Sequence, residues 1–434
     1  MAYDPKSIAT SERHLRVAID ARFNPSKGGG GVESVLIGLV RALAQLEDGA
    51  EEYVIVGPSD EPYWLKPYTG PNQRIVAFPD PSVEDTMAKR ALGPLRPVVR
   101  RVFASPAPRR HWPEVPISDG FYEGLNCDVL HFPFQHFMLC ALPTIYNPHD
   151  LQHLHYPEFF DPYDIAVRET IWRAGCQLAH TVAVASEWVK KDVERQYGVS
   201  PDKVQVIPWS PPTQAYPAPD PELIKSVREQ YGLPESFAFY PAMTWEHKNH
   251  ARLLEAIALL RDREGRRVHL ICTGYKTNFW PRIEEQLQAL QLQDQVKFLG
   301  IVPVEHLRAI YRLADFVIVP TLFEAASGPL FEAWQEMTPV ACSTVATLRE
   351  QASDAALLFD PVSVEAIADA IARLASNVAL REDLKQRGAR RLRDFSWERT
   401  AKAYRAVYRR AARRTLNEED TELLSWNWSR EPRP

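Results

Sequence analysis

The chain alternates short runs of β-branched and aromatic residues with longer segments whose apolar positions recur every three or four residues. Strands buried on both faces read as continuous apolar runs, whereas helices packed on them carry one apolar stripe. On this pattern strands are predicted in the first half at 15–20, 53–57, 74–78, 129–132, 144–146, 181–185 and 203–207. Val35, Leu36, Leu39, Val40 and Leu43 fall at helical spacing and predict a helix over 32–46. A second series follows, with strands at 237–240, 268–273, 296–299, 316–319, 340–342 and 356–359. Its helices are expected at 251–261, 282–290, 304–313, 329–335 and 364–375. Alternation of this kind builds a parallel sheet with helices on both faces. Two series therefore predict an α/β protein of two doubly wound, Rossmann-like domains.

Between the two series lies 208–221, with six prolines in fourteen residues. Proline has no N–H and clashes with the preceding turn, so this stretch is expected to form neither helix nor central strand. It divides the chain into a first domain over 1–208, a linker over 209–221 and a second domain over 222–394. The basic helix expected at 397–413, within a 395–434 tail, is placed to cross back to the first domain. Open α/β sheets bind ligands outside the C-terminal ends of their strands, so the expected site is the cleft between the domains.

Composition changes the picture in three ways. A length of 434 residues exceeds what one core serves, and a net charge of −5 disfavours a nucleic-acid binder. Five scattered cysteines without a CxxC pair fit free thiols in a reducing compartment better than a disulfide framework. Residues 1–13 are polar and no run of about 18 apolar residues occurs, so a cytoplasmic protein without a spanning helix is expected. The segment 89–110 holds seven Lys or Arg and no acid, interspersed with Leu92, Leu95, Val98, Val99, Val102 and Phe103. An acceptor loop, a patch touching an anionic membrane and a solvated loop all fit that composition.

The densest chemistry lies at 317–334. An apolar strand ends in a loop carrying Glu324, and a Ser327-Gly328-Pro329 turn opens a helix whose first turn holds Glu332. Helix N-termini present free N–H groups and partial positive charge, where diphosphate oxygens or sugar hydroxyls dock. Carboxylates flanking that point accept hydrogen bonds from vicinal diols. A simple helix start with an acidic first turn reads the same residues equally well. Lys248 and Asn249 sit between a strand end and a helix, where a lysine can neutralise charge developing on a leaving group. Gly28 to Gly31 also separate a strand from a helix, and glycine there lets a phosphate approach the backbone. No GxxxxGK[ST] occurs, which disfavours a P-loop nucleotidase. His149, His153 and His155 follow another strand, and a metal site is their alternative to loop histidines.

Glu324-x7-Glu332 followed by Ala333 resembles the E-x7-E motif of the family 4 retaining glycosyltransferases of the GT-B fold. Further blocks at 185–193, 239–250, 296–300, 348–360 and 395–398 resemble the same family, over roughly residues 15–412. The resemblance implies that Glu324 binds hydroxyls of the transferred sugar and Glu332 the ribose diol. It implies that the backbone near Gly328 and Leu330 meets sugar and phosphate, with Gly30 and Gly31 facing the donor diphosphate from across the cleft. Lys248, with Asn249 beside it, would stabilise the departing diphosphate, and His149 would lie beside the reacting sugar. Two departures stand out. Ala325-Ala-Ser-Gly-Pro329 replaces the family's Gly-Phe-Gly-Leu-Pro, leaving Ser327 as an extra hydroxyl contact. Met243-Thr-Trp245 stands where the family has an arginine.

The implied function is metal-independent, retaining transfer of a hexose from a nucleotide diphosphate sugar to a saccharide or lipid-linked acceptor. No resident cofactor is implied. The leaving phosphate itself would accept the acceptor's proton. Asp220-Pro-Glu222 has DxD spacing but lies in the linker, away from any strand end. The stretch 245–250 resembles mannosyltransferases of the family and favours a GDP-sugar, with mannose, over a UDP-sugar. A nucleotide-sugar 2-epimerase on the same fold and a non-catalytic nucleotide-sugar binder are the rival readings.

Overall fold

The computed structural model of the protein describes residues 14–23, 30–79 and 112–427. The basic segment 89–110 and residues 27–29 of the glycine run lie outside the described residues. The first domain contains β1 (Arg16–Asp20), β2 (Glu52–Gly57), β3 (Gln73–Ala77), β4 (Val129–Phe132), β5 (Thr144–Tyr146), β6 (Thr181–Val184) and β7 (Val204–Val206). The second contains β8 (Ala238–Pro241), β9 (Leu270–Thr273), β10 (Val296–Phe298), β11 (Phe316–Val319), β12 (Val340–Ser343) and β13 (Leu357–Phe359). All pairings between these strands are parallel, in the orders β3-β2-β1-β4-β5-β6-β7 and β10-β9-β8-β11-β12-β13. Strand order reverses between β1 and β4 in one sheet and between β8 and β11 in the other. Those two switch points are where an open parallel sheet leaves a crevice for ligands.

Burial explains the apolar runs. β4, β6, β9, β11 and β12 are buried along their whole length, as strands covered by helices on both faces must be. The second domain has one core built around residues such as Phe239, Ile271, Ile318 and Trp334. The first has a core on each side of its sheet. One of these includes Trp397, Tyr404 and Tyr408 from the helix Trp397–Ala411, which packs on the helix Gly30–Ala44.

That late helix is bound to the first domain by both packing and polar pairing. A Cβ on Gly38 would come within 2.1 Å of the Trp397 ring, so only glycine permits this approach. Trp397 donates from Nε1 to Pro211 O at 2.9 Å. His131, buried in β4, is held neutral, its pKa pushed down to about 4 by burial. It donates from Nε2 to Asn147 Oδ1 and accepts at Nδ1 from the Tyr408 hydroxyl. Arg405 pairs bidentately with Asp48, and Arg409 with Glu51 and Asp420.

The linker differs from its expectation in two places. A 3-10 turn forms at Pro212–Ala215, and Pro221 opens the helix Pro221–Tyr231. Pro221 is tolerated because the first helical position needs no N–H, and the Asp220 carboxylate accepts from Leu223 N at 2.8 Å. The helix expected at 32–46 starts two residues earlier, so Gly30 and Gly31 form its first turn. All five cysteines are free thiols, four of them buried. Among the described residues no helix is long and apolar enough to cross a membrane.

Removing the buried Trp397 ring empties the contact with Gly38. We expect Trp397→Ala to cost about 3–5 kcal/mol in the unfolding transition of the first domain. Denaturant melts that separate the two domains check it, with the second-domain transition unmoved.

Candidate functional site

Loops that follow strands of both sheets meet in the cleft. From the second domain come 242–249 after β8 and 320–327 after β11; from the first comes 147–156 after β5. A cavity of about 360 Å³ opens here, lined by His155, Tyr156 and Trp188 on one side and by Leu322, Phe323, Glu324 and Thr347 on the other.

Lys248 and Glu324 are brought together: Nζ lies 2.5 Å from Oε1, with the two side chains 20% and 13% exposed. Each is held from behind. Lys248 ends a 3-10 turn and its carbonyl accepts the Tyr240 hydroxyl at 2.8 Å. The Glu324 carbonyl accepts from Thr347 Oγ1 at 2.7 Å. Asp150 faces this pair from the first domain. Burial raises its pKa, countered by the charges of Arg168 and Lys248 and by a hydrogen bond from Gln152 N, while Glu324 raises it further.

His149 is buried and adopts a left-handed φ of 61°, an uncommon conformation for a residue with a side chain. It donates from Nε2 to Pro133 O at 3.0 Å. That bond fixes the tautomer and leaves the Nδ1 lone pair buried without a partner among the described residues. Burial pushes its pKa down to about 4, so it is neutral in the neutral pH range and an acceptor at Nδ1. Trp209 packs edge-on against the ring, 5.4 Å between centroids.

The remaining candidate residues divide by how their polar atoms are used. Asn249 is buried with φ 62° and donates from Nδ2 to Pro320 O and Pro361 O, both at 2.8 Å. Its side chain thus ties the loops after β11 and β13 to the start of the helix His250–Glu264. The Ser327 amide donates to Gln351 Oε1 and the Ser327 carbonyl accepts from Gln351 Nε2, both at 2.8 Å, while Ser327 Oγ is buried with no partner among the described residues. Ser327 therefore does not cap the helix Gly328–Gln335, and Gly328 and Leu330 lie in its first turn. Glu332, buried, accepts the Tyr311 hydroxyl at Oε2, 2.6 Å away. Burial pushes its pKa up to about 7; the Tyr311 bond lowers it and nearby Glu336 adds to the rise. Gly30 comes close to the second domain, since a Cβ there would lie 2.5 Å from Met243 Cε, whereas a Cβ on Gly31 would meet nothing within 4 Å among the described residues.

The histidines of the metal alternative do not converge. His153 pairs with Glu169 and His155 with Asp192, each through Nε2. Among the described residues no group of three or more His, Cys, Asp or Glu is arranged to hold a metal ion. What local spacing missed are residues that meet only in three dimensions. Asp150 adjoins His149 in the sequence; Ser186, Trp188 and Glu350 fall inside blocks of the family resemblance that assign them no role, and Tyr156 lies in no such block. Glu350 accepts from the backbone N–H groups of Glu187 and Trp188 at 2.7 and 3.0 Å, so a carboxylate of one domain caps a helix of the other. That exchange offsets the cost of its burial.

The sequence model described as Glycosyltransferase Family 4 matches residues 29–209, and that described as Glycosyl transferases group 1 matches residues 224–391. O-antigen chain mannosyltransferase B of Escherichia coli is 25% identical over 308 residues, 70% of this chain and 78% of that protein. D-inositol 3-phosphate glycosyltransferase of Corynebacterium glutamicum is 25% identical over 280 residues, 62% of this chain and 67% of that one. Among solved structures, sucrose-phosphate synthase from Thermosynechococcus elongatus superposes with a TM-score of 0.65 at 20% identity, covering 92% of this chain and 99% of that one.

A carboxyl whose pKa rises from 4.5 to about 7 on folding binds a proton that the unfolded chain has lost. Its contribution to stability is present below pH 4.5 and is lost as pH rises to about 7. Glu332→Gln removes that dependence. Its stability relative to wild type should rise by roughly 3 kcal/mol between pH 4.5 and 7 and then level off. Denaturation at a series of pH values reads this directly.

Proposed function

Because this chain belongs to the glycosyltransferases, with a family 4 domain followed by a group 1 domain in the GT-B fold, we propose that it transfers a hexose with retention, without a metal ion. The donor is a nucleotide diphosphate sugar, with GDP-mannose favoured, and the acceptor is a saccharide or a lipid-linked saccharide. The mannose reading draws on the resemblance of residues 245–250 and on the mannosyltransferase named among the relatives.

The observation that carries the proposal is the half-buried Lys248–Glu324 pair at the β8–β11 switch point, opposed by Asp150 of the first domain. A diphosphate entering between the loops would meet the ammonium of Lys248, and sugar hydroxyls would meet Glu324. The free N–H groups at the start of the helix Gly328–Gln335 would share the phosphate charge. The Nδ1 lone pair of His149 offers an acceptor to one further sugar hydroxyl. Glu332 would reach the ribose diol only by exchanging the Tyr311 bond, which a diol can replace in kind.

In the reaction the bond from the anomeric carbon to the diphosphate oxygen breaks as the bond to the acceptor oxygen forms on the same face. The acceptor's proton passes to the departing phosphate oxygen. Lys248 stabilises negative charge that grows only as the bond breaks, so its effect falls on turnover rather than on donor affinity. Closing the cleft removes the water that would otherwise hydrolyse the donor.

Two measurements test this. Thermal midpoints with a panel of nucleoside diphosphates and their sugars should rise with GDP-mannose and GDP, equally with EDTA or magnesium present. Lys248→Ala should lower kcat about 10²- to 10³-fold while donor affinity changes little. A midpoint that moves with no nucleotide, or an EDTA-sensitive rate, would count against the reading.

A further inference from the structure

The segment Leu322–Ala325, which carries Glu324, is held from the other domain. Phe323 belongs to the second domain, yet its ring is buried among His155, Tyr156 and Trp188 of the first, at centroid distances of 5.4, 6.0 and 5.7 Å. His155 is fixed in that socket by its bond to the buried Asp192 carboxylate, 2.7 Å away, and by contact with Trp188. The backbone on both sides of Glu324 is also gripped. The Tyr156 hydroxyl donates to Leu322 O at 3.2 Å and the Ser186 hydroxyl to Ala325 O at 3.3 Å. The second domain supplies Thr347 to Glu324 O and Thr321 to Phe323 O. All four consecutive carbonyls therefore receive a side-chain hydroxyl, two from each domain.

We infer that Phe323 and its first-domain socket, with Tyr156 and Ser186, are positioning elements that set Glu324 only when the two domains are closed. A phenylalanine ring has three first-domain partners to lose on opening, and the residue it would release is the next one along the chain. The loop after β11 is then in register for the sugar in the closed state alone, which couples turnover to closure. The inference rests on Glu324 holding the transferred sugar.

The test is kinetic and epistatic. Phe323→Ala should lower kcat about tenfold or more, because small misplacements of a reacting group cost that much. The Kd for the nucleoside diphosphate alone should stay within about twofold, since that ligand does not engage Glu324. Trp188→Ala, on the other domain, should show the same split, and Phe323→Leu should recover part of the loss. In a Glu324→Ala background Phe323→Ala should cost nothing further. A loss that persists undiminished in that background overturns the inference.

Hydrogen exchange gives a readout that needs no turnover. Phe323→Ala should speed exchange in 320–326 and equally in 186–190 across the cleft. Exchange confined to 320–326 overturns the grip. A wild-type chain that turns over no nucleotide sugar would remove the function reading, and the exchange result would still decide the cross-domain contact.

Discussion

The structure turns on one ion pair, Lys248 with Glu324, held where the strand order of the second sheet reverses. Two charged groups at 13–20% exposure are expensive to keep from water unless each neutralises the other. Parallel sheet geometry delivers the partners, because β8 and β11 are adjacent and both release their loops at the same edge. Asn249 then ties the loop after β8 to the one after β11 through the Pro320 carbonyl, so the two charges cannot drift apart. Under the proposed function, the diphosphate of the donor would meet one member of the pair and the sugar hydroxyls the other.

The two domains are joined by more than the proline-rich linker. The helix Trp397–Ala411 leaves the second domain and completes a core of the first, so the chain crosses the junction twice. Arg308 and Arg312, both paired with Glu336, donate to the carbonyls of Tyr216 and Pro219, fastening the linker to the second domain. Arg41 and Trp397 reach the carbonyls of Ala215 and Pro211 from the first-domain side. Rotation about that strap is the domain motion such a junction would permit. Cleft contacts such as Phe323 in its socket and Glu350 at the helix Glu187–Tyr197 are the ones that rotation would break.

Much of this was legible in the sequence because parallel α/β architecture writes itself in apolar runs. β4, β5 and β11 have the bounds that hydrophobic patterning predicts, since each is a short run buried along its whole length. The helix Gly30–Ala44 begins inside the glycine run, where side-chain periodicity has nothing to mark. The pairing of Lys248 with Glu324 follows from two loops that each follow a strand, once the strand order is known. The use of Asn249 and Ser327 was not legible. Their polar atoms are spent on Pro320, Pro361 and Gln351, partners set by how loops fold back rather than by spacing. The same holds for Phe323, whose neighbours lie more than a hundred residues away in the other domain.

Proton NMR of the chain incubated with GDP-mannose, following the anomeric resonances as the nucleotide is released, tests retaining transfer at the Lys248–Glu324 pair. Retaining transfer gives GDP together with a sugar product first formed as the α-anomer, at a rate that collapses when Lys248 is replaced by alanine. Release of a β-anomer would contradict retention, an epimerised sugar would favour the 2-epimerase, and donor that stays intact would reduce the site to a binding cleft.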